Sequence, residues 1–283
     1  MKIITTIGEM RSISAAERNL GRKIAFVPTM GTLHEGHLSL LREGKKRGDT
    51  LLLSIYVNPM QFGPTEDLAR YPRDLDHDIT KAKEVGVDAL FLPSDQEIYP
   101  EGFSCSVDPG SLAEHLCGAS RPGHFRGVAT VVAKLFNIVA PDIALFGEKD
   151  YQQLAVIRRM VDDLDMPIEI VGCPIVREAD GLAMSSRNAF LSPKERKAAA
   201  SISRALGVAE ALVASGERSA SSILRTVCAT IDEAALLRID YASLVHPETL
   251  LPIAKMTGPS LLALAAFVGK TRLIDNRLFS SLP

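Results

Sequence analysis

In the stretch MGTLHEGHLSLLREGKK, residues 30–46, His34 and His37 stand three apart at the opening of an apolar helical pattern from Leu38 to Lys46. On one helical turn that spacing lets both imidazoles face the same way. Three readings compete. A zinc site needs a third protein ligand, commonly with a carboxylate nearby, and HEGH is not the HExxH arrangement. A phosphate site would draw on the exposed amides and positive dipole end of a helix start, with imidazole N–H groups as donors. Gly31 and Gly36 favour it, because small residues let a ligand approach the backbone. The bland reading is a pair of histidines that cap or pack at the helix start.

Further residues able to do chemistry fall in four segments. YVNPMQFGPTEDLARYPRDLDHD, residues 56–78, carries Asn58, Gln61, Tyr71 and Arg73. Gln61 offers both a donor and an acceptor to a small acid or alcohol. Asp74, Asp76 and Asp78 are either magnesium ligands shared with nucleotide phosphates or a solvated helix start. FGEKDYQQL, residues 146–154, places Lys149, Asp150 and Gln153 at a helix opening. Lys149 there would neutralise charge developing in phosphoryl or nucleotidyl transfer, and Asp150 would hold a ribose or fix the lysine; the competing reading is a surface ion pair with a cap. READGLAMSSRNAFLS, residues 177–192, reads as a mobile phosphate loop built on Ser185, Ser186 and Arg187, or as a plain linker. GHFRG, residues 123–127, with Arg121 nearby, is a glycine-flanked turn whose cations either meet anions or are simply solvated.

These residues need a frame that converges them. The apolar runs 23–28 and 50–58 enclose the helical segment 38–46, and the strand, helix, strand order implies a parallel sheet with crossover helices. A helix over 75–85 and a strand over 87–93 follow, then a buried helix over 129–139, a strand over 142–147, a helix over 151–163 and a strand or strand pair over 167–176. Apart from 123–127, the candidate segments with chemistry follow strands, where ligands of such sheets bind. After SPKER the pattern changes to alanine-rich helices, 197–215 and 219–237, and the runs DYASLVHP and SLLALAAFVG are candidate strands of a smaller terminal domain. The boundary falls near 176 to 190.

The chain of 283 residues is 46% hydrophobic, enough for a continuous core. Its net charge of −2 gives no general attraction to a nucleic acid. The first residues become charged too soon for a secretory signal, and the apolar runs are shorter than a membrane span, so the expected location is cytoplasmic with no membrane partner. Cys105, Cys117, Cys173 and Cys228 lack CxxC spacing and are expected to be buried thiols.

PTMGTLHEGH, YVNPMQF, FGEKDYQQL, GLAMSSRN and the late RLIDN together closely resemble the pantothenate synthetase family, ligases of pantoate and β-alanine, in the same order over essentially the whole chain. The resemblance implies an α/β fold with a Rossmann-like parallel-sheet domain, residues 1–176, and a smaller α+β C-terminal lid domain, residues 177–283. It also implies membership of the HIGH nucleotidylyltransferase superfamily and usually a homodimer. The implied reaction has two halves: ATP and pantoate give pantoyl adenylate and pyrophosphate, then the amine of β-alanine releases AMP and forms pantothenate.

Carried over by resemblance, His34, His37, Lys149, Ser185, Ser186 and Arg187 serve catalysis on the ATP phosphates. Met30, Gly147, Asp150, Val176 and Met184 complete the ATP site, with Asp150 on the ribose. Gln61 and Gln153 hold pantoate beside Met30, with Tyr71 and Arg121 near the substrates. Magnesium is expected to arrive with ATP, without an assigned protein ligand. Two other classes stay open at this point: an inactive nucleotide-binding module, and a nucleotidylyltransferase that makes a dinucleotide or activated alcohol.

Overall fold

The computed structural model describes residues 1–64 and 66–281; Thr65, inside the 56–78 segment, and the last two residues lie outside it. The first half alternates strands and helices: β1 (Lys2–Ile4), α1 (Ile7–Asn19), β2 (Ile24–Thr29), α2 (Glu35–Arg47), β3 (Thr50–Ile55), α3 (Leu75–Val85) and β4 (Ala89–Phe91). Two short helices, α4 (Asp95–Ile98) and α5 (Cys117–Ser120), precede α6 (His124–Val139), β5 (Ile143–Gly147), α7 (Tyr151–Asp163) and β6 (Glu169–Cys173). The six strands form one parallel sheet in the order β1-β4-β3-β2-β5-β6.

A parallel sheet covered on both faces needs apolar residues at every position, which is why these strands read as continuous runs. Ala25, Val27, Leu51, Leu53 and Leu90 pack with Leu38 and Leu41 of α2 and Ala82 of α3. The alternate residues Ile24, Phe26, Leu52 and Phe91 pack with Met10 of α1 and with α6, most of which is buried. From β2 the chain moves to β3 and β4 on one side and later returns to place β5 on the other. That reversal opens a crevice between the carboxyl ends of β2 and β5, at Thr29 and Gly147, where a Rossmann-like sheet binds its ligands.

The second unit comprises α8 (Pro193–Ala214), α9 (Ala220–Asp232) and the strands β7 (Leu237–Val245), β8 (Ser260–Val268) and β9 (Thr271–Phe279), antiparallel in the order β7-β8-β9. Ser192 and Glu195 form a reciprocal cap at the start of α8, with Pro193 in the first helical position, so the helix begins four residues before the alanine-rich run. On β8, Leu262, Leu264, Ala266 and Val268 face α8 and α9, while Leu261 and Ala263 belong to the core under the parallel sheet. A bulge at Asp240 of β7 turns that side chain toward Ser120 and Arg272.

Several sequence expectations change, among them the helix over 219–237, which ends at Asp232 as α9, while Leu237 already opens β7. The segment 123–127 is not wholly a turn: Gly123, at φ 83°, makes the turn, and α6 starts at His124. Strand β6 stops at Cys173, before Pro174. Cys105 is exposed, unlike buried Cys117 and Cys173. No helix among the described residues is long and apolar enough to cross a membrane.

Candidate active site

At the carboxyl end of β2 the chain makes a tight turn through Gly31 and Thr32, and His34 becomes the N-cap of α2. The His34 Nδ1 accepts from the Gly36 N–H at 3.1 Å, and the His37 Nδ1 accepts from the His34 N–H at 3.3 Å. The two histidines therefore form the helix cap, a role usually taken by serine, aspartate or glutamate. Their ring centroids are 4.1 Å apart. Because both Nδ1 atoms accept, a neutral ring must carry its proton on Nε2, as a donor. Burial, and then the Lys149 charge, pushes the His34 pKa down to about 4. Burial, followed by neighbouring His34, pushes His37 down to about 3. At neutral pH the pair is uncharged: two fixed N–H donors at a helix start.

Beyond β3 a single 3-10 turn, Pro59–Gln61, starts at Asn58, whose side chain caps it. Asn58 is almost fully buried; it accepts from Tyr99 OH at 2.7 Å and donates to the Gly127 carbonyl and to Gln61 Oε1. The Gln61 Nε2 donates to Met30 Sδ at 3.0 Å, a weak acceptor that a carboxylate or hydroxyl oxygen would readily replace. Behind Gln61, its carbonyl accepts from His124 Nδ1 at 2.8 Å and from Arg121 Nη2 at 3.2 Å. Gly127 admits the turn against α6, since a Cβ there would lie 2.3 Å from the Met60 carbonyl oxygen.

The turn after β5, Glu148–Asp150, presents Lys149 and Asp150, with Nζ to Oδ2 at 3.3 Å. Burial alone would raise the Asp150 pKa, but the Lys149 charge and hydrogen bond outweigh it and hold the carboxyl below its ordinary value. The second unit fixes this turn: Asn276 of β9 donates through Nδ2 to the Glu148 and Lys149 carbonyls, at 2.8 and 3.0 Å. The adjacent Asp275, buried, grips Arg177 through two hydrogen bonds of 2.7 and 2.9 Å.

From Arg177 the chain folds back on itself, with the Met184 N–H donating to the Val176 carbonyl, and reaches Ser185. The Ser185 Oγ accepts from the Arg187 N–H, and Ser186 Oγ lies 3.3 Å from Tyr71 OH. Arg187 is bidentate to Asp67, at 2.8 and 2.9 Å. That leaves Nη1 and the second Nη2 hydrogen of its fork for another anion.

These elements enclose a cavity of about 210 Å³ lined by His34, His37, Met30, Gln61, Gln153 and Tyr71 together with Gly147, Lys149, Asp150, Val176, Met184, Ser185, Ser186 and Arg187. It adjoins a cleft of about 780 Å³ between the two units, and Lys149, Asp150, Gln153, Ser185 and Arg187 line both. Among the expected site residues Arg121 alone lines only the cleft, where Glu66 and His124 occupy its guanidinium. Asp74 caps α3, Asp76 is exposed, and Asp78 is buried against the turn before His34. Among the described residues no group of three or more His, Cys, Asp or Glu is placed to hold a metal. Sequence reasoning overlooked Asp67, Glu66, Asn276 and the structural part of Asp78; RLIDN offered a signal, as a motif without a stated role.

A neutral donor pair at a helix start, a lysine and an arginine loop opposite, and two glutamine amides beside a methionine make a site with an anion end and a small-acid end. The family model for pantoate-beta-alanine ligase matches residues 2–278. The pantothenate synthetases of Pelobacter propionicus and Syntrophus aciditrophicus are 58% and 55% identical over 276 and 279 residues, covering 98% and 99% of this chain and 97% and 98% of those proteins. Among solved structures, the Thermus thermophilus pantothenate synthetase superposes with a TM-score of 0.93 at 47% identity, covering 98% of this chain and 99% of that one. The Francisella tularensis pantoate-beta-alanine ligase, in complex with beta-gamma ATP and beta-alanine, gives 0.81 at 35% identity, covering 98% and 97%. The chain belongs to the pantoate-β-alanine ligase family of enzymes.

Proposed function

We propose that this site joins pantoate to β-alanine in two steps, through a pantoyl adenylate. A free carboxylate resists attack by an amine, whereas its mixed anhydride with AMP carries a good leaving group. A carboxylate oxygen of pantoate attacks the α-phosphorus of ATP and pyrophosphate leaves. The neutral amine of β-alanine then attacks the acyl carbon, and AMP departs with the oxygen that pantoate contributed. The observation that carries this reading is the uncharged His34 and His37 pair facing the same cavity as Gln61 and Gln153.

The Nε2–H groups of His34 and His37 donate to phosphate oxygens, adding directed hydrogen bonds without a mobile proton. Lys149 supplies the charge that grows in value as the phosphorus becomes pentacoordinate, and Ser185, Ser186 and the free edge of Arg187 hold the leaving pyrophosphate. Asp150 takes the ribose, with Gly147, Val176 and Met184 around the nucleoside. Gln61 and Gln153 orient pantoate against Met30, Tyr71 closes the side toward Ser186, and Arg121 supports the Gln61 carbonyl from behind. Magnesium belongs to the ATP substrate, where it offsets charge on the phosphate oxygens. Residues 1–176 bind ATP and pantoate, and residues 177–283 act as a lid that keeps water from the adenylate. The proposal includes a cytoplasmic homodimer, checked by sedimentation of the purified protein.

Pantoate labelled with ¹⁸O in its carboxylate tests the mechanism. With ATP, Mg²⁺ and β-alanine, mass spectrometry should find one ¹⁸O in AMP for each pantothenate formed. Pantothenate formed with unlabelled AMP would exclude the adenylate, and ATP binding without turnover would turn the reading toward an inactive nucleotide-binding module.

A further inference from the structure

Asp78 holds the turn that precedes the imidazole pair and lines neither cavity. The residue is 1% exposed, and its carboxylate accepts two backbone hydrogen bonds, from the Thr32 N–H to Oδ2 at 2.8 Å and from the Leu33 N–H to Oδ1 at 2.6 Å. Among the described residues its one ionic neighbour is the exposed His77, with Nδ1 3.8 Å away. A buried carboxylate held chiefly by amides is an anion clasp for a particular piece of backbone.

That piece is strained. Gly31 and Thr32 follow one another at φ 86° and 55°. Threonine disfavours this left-handed region, because its Cβ crowds the following carbonyl. Thr32 Oγ1 adds a bond to the Pro72 carbonyl at 2.9 Å, so the turn is tied to the segment leading into α3 from two sides. At Gly31 a Cβ would sit 2.9 Å from Asp78 Oδ2. Directly after Leu33 comes His34, whose N–H must point at His37 Nδ1 for the cap to close. The direction of that N–H is set by the turn.

We propose that Asp78 is a positioning residue for nucleotide activation: by clasping the Thr32 and Leu33 amides it fixes the turn that closes the His34–His37 cap and presents both Nε2–H groups to the cavity. The inference rests on the reading of that pair as phosphate donors. Asparagine in place of Asp78 keeps one acceptor and sets an NH₂ against the other amide, so one of the two bonds is replaced by donor facing donor. Glycine in place of Thr32 removes the Cβ penalty and lessens the need for the clasp.

The test compares wild type, Asp78→Asn, and Asp78→Asn with Thr32→Gly. Imidazole ¹⁵N–¹H correlation spectra report the tautomers of His34 and His37 in the folded protein, and steady-state kinetics report turnover and the KM of each substrate. Asp78→Asn should move the pair away from the pure Nε2–H tautomer and lower the adenylation kcat roughly 10- to 100-fold, the scale of ångström-level misplacement. The pantoate KM should stay within about twofold, and Thr32→Gly should restore part of the rate. Unmoved tautomers would overturn the positioning role alone. Displaced tautomers with wild-type kcat would overturn the phosphate-donor reading, and this proposal with it. Should Asp78→Asn not fold, Asp78→Glu, which keeps the charge and shifts it by one methylene, is read against the same outcomes.

Discussion

Replacing Asp275 with asparagine separates β9 from the segment that carries Ser185. In the wild-type protein the Asp275 carboxylate accepts two bonds from Arg177 and one from the Asn276 N–H at 2.8 Å. Asparagine retains one acceptor and turns an amide NH₂ toward the guanidinium. Breaking one side of a buried ion pair costs about 3–5 kcal/mol. The Arg177 side chain is 23% exposed, so water recovers part of that loss, and the expected destabilisation is about 2–3 kcal/mol. With a urea dependence near ~3 kcal/mol per molar, the unfolding midpoint should fall by about 1 M. Because the same segment leads to Ser185, Ser186 and Arg187, pyrophosphate release with ATP and pantoate should fall about tenfold. Urea titration followed by far-UV circular dichroism and a pyrophosphate-release assay measure both. A midpoint shifted by less than about 0.2 M, with wild-type release, would refute the argument that this pair ties β9 to the segment carrying Ser185.

Lys149→Ala should reduce adenylation by about 10²–10³ in kcat with little change in the pantoate KM, whereas Gln61→Ala should raise the pantoate KM about tenfold or more; the reverse split would exchange their roles. Gly127→Ala should lower the stability by about 1–3 kcal/mol and weaken pantoate use, read by thermal melting and kinetics, because its Cβ would press on the Met60 carbonyl. The pH dependence of unfolding follows from imidazole burial: His34, His37 and His124 are depressed to about 4, 3 and 4. Below pH ~6.5 the unfolded chain takes up their protons first, so stability is fully present above that pH and falls as pH drops toward the folded values. Denaturant titrations between pH 4 and pH 8 should show this slope, and His34→Asn with His37→Asn should reduce it; an unchanged slope would mean that these rings are not buried neutral.

The parallel sheet was legible because strands buried on both faces leave unbroken apolar runs, and the glycines after them mark where the crevice lies. Gln61, Lys149 and Ser185 were visible as reactive types in those loops. Their supports were not. Asp78 meets Thr32 and Leu33 across more than forty residues, and Asp67 meets Arg187 across more than a hundred, so no local period records either pair. Three-residue β1 was too short to show a pattern, and Gly127 looked like a turn residue although its role is close approach inside α6. The histidine cap stood among the readings the sequence left open, although imidazole seldom takes the place of a capping hydroxyl or carboxylate; the tautomer it imposes appears only with the geometry.

Strand β8 gives side chains to two cores at once, Leu262 and Leu264 to one, Leu261 and Ala263 to the other. The second unit is thus welded to the first near Ser260, while the turn at Gly269 and Lys270 stands at the open cleft. That end is tied as well: Asp240 and Arg272, on β7 and β9 beside the turn, meet Ser120 and Cys117 of α5. From there β9 carries the anchorage back to Asn276 and the Lys149 carbonyl. Cutting the chain before α8 would therefore not release a spare cap; it would remove part of the foundation on which the nucleotide-binding sheet rests.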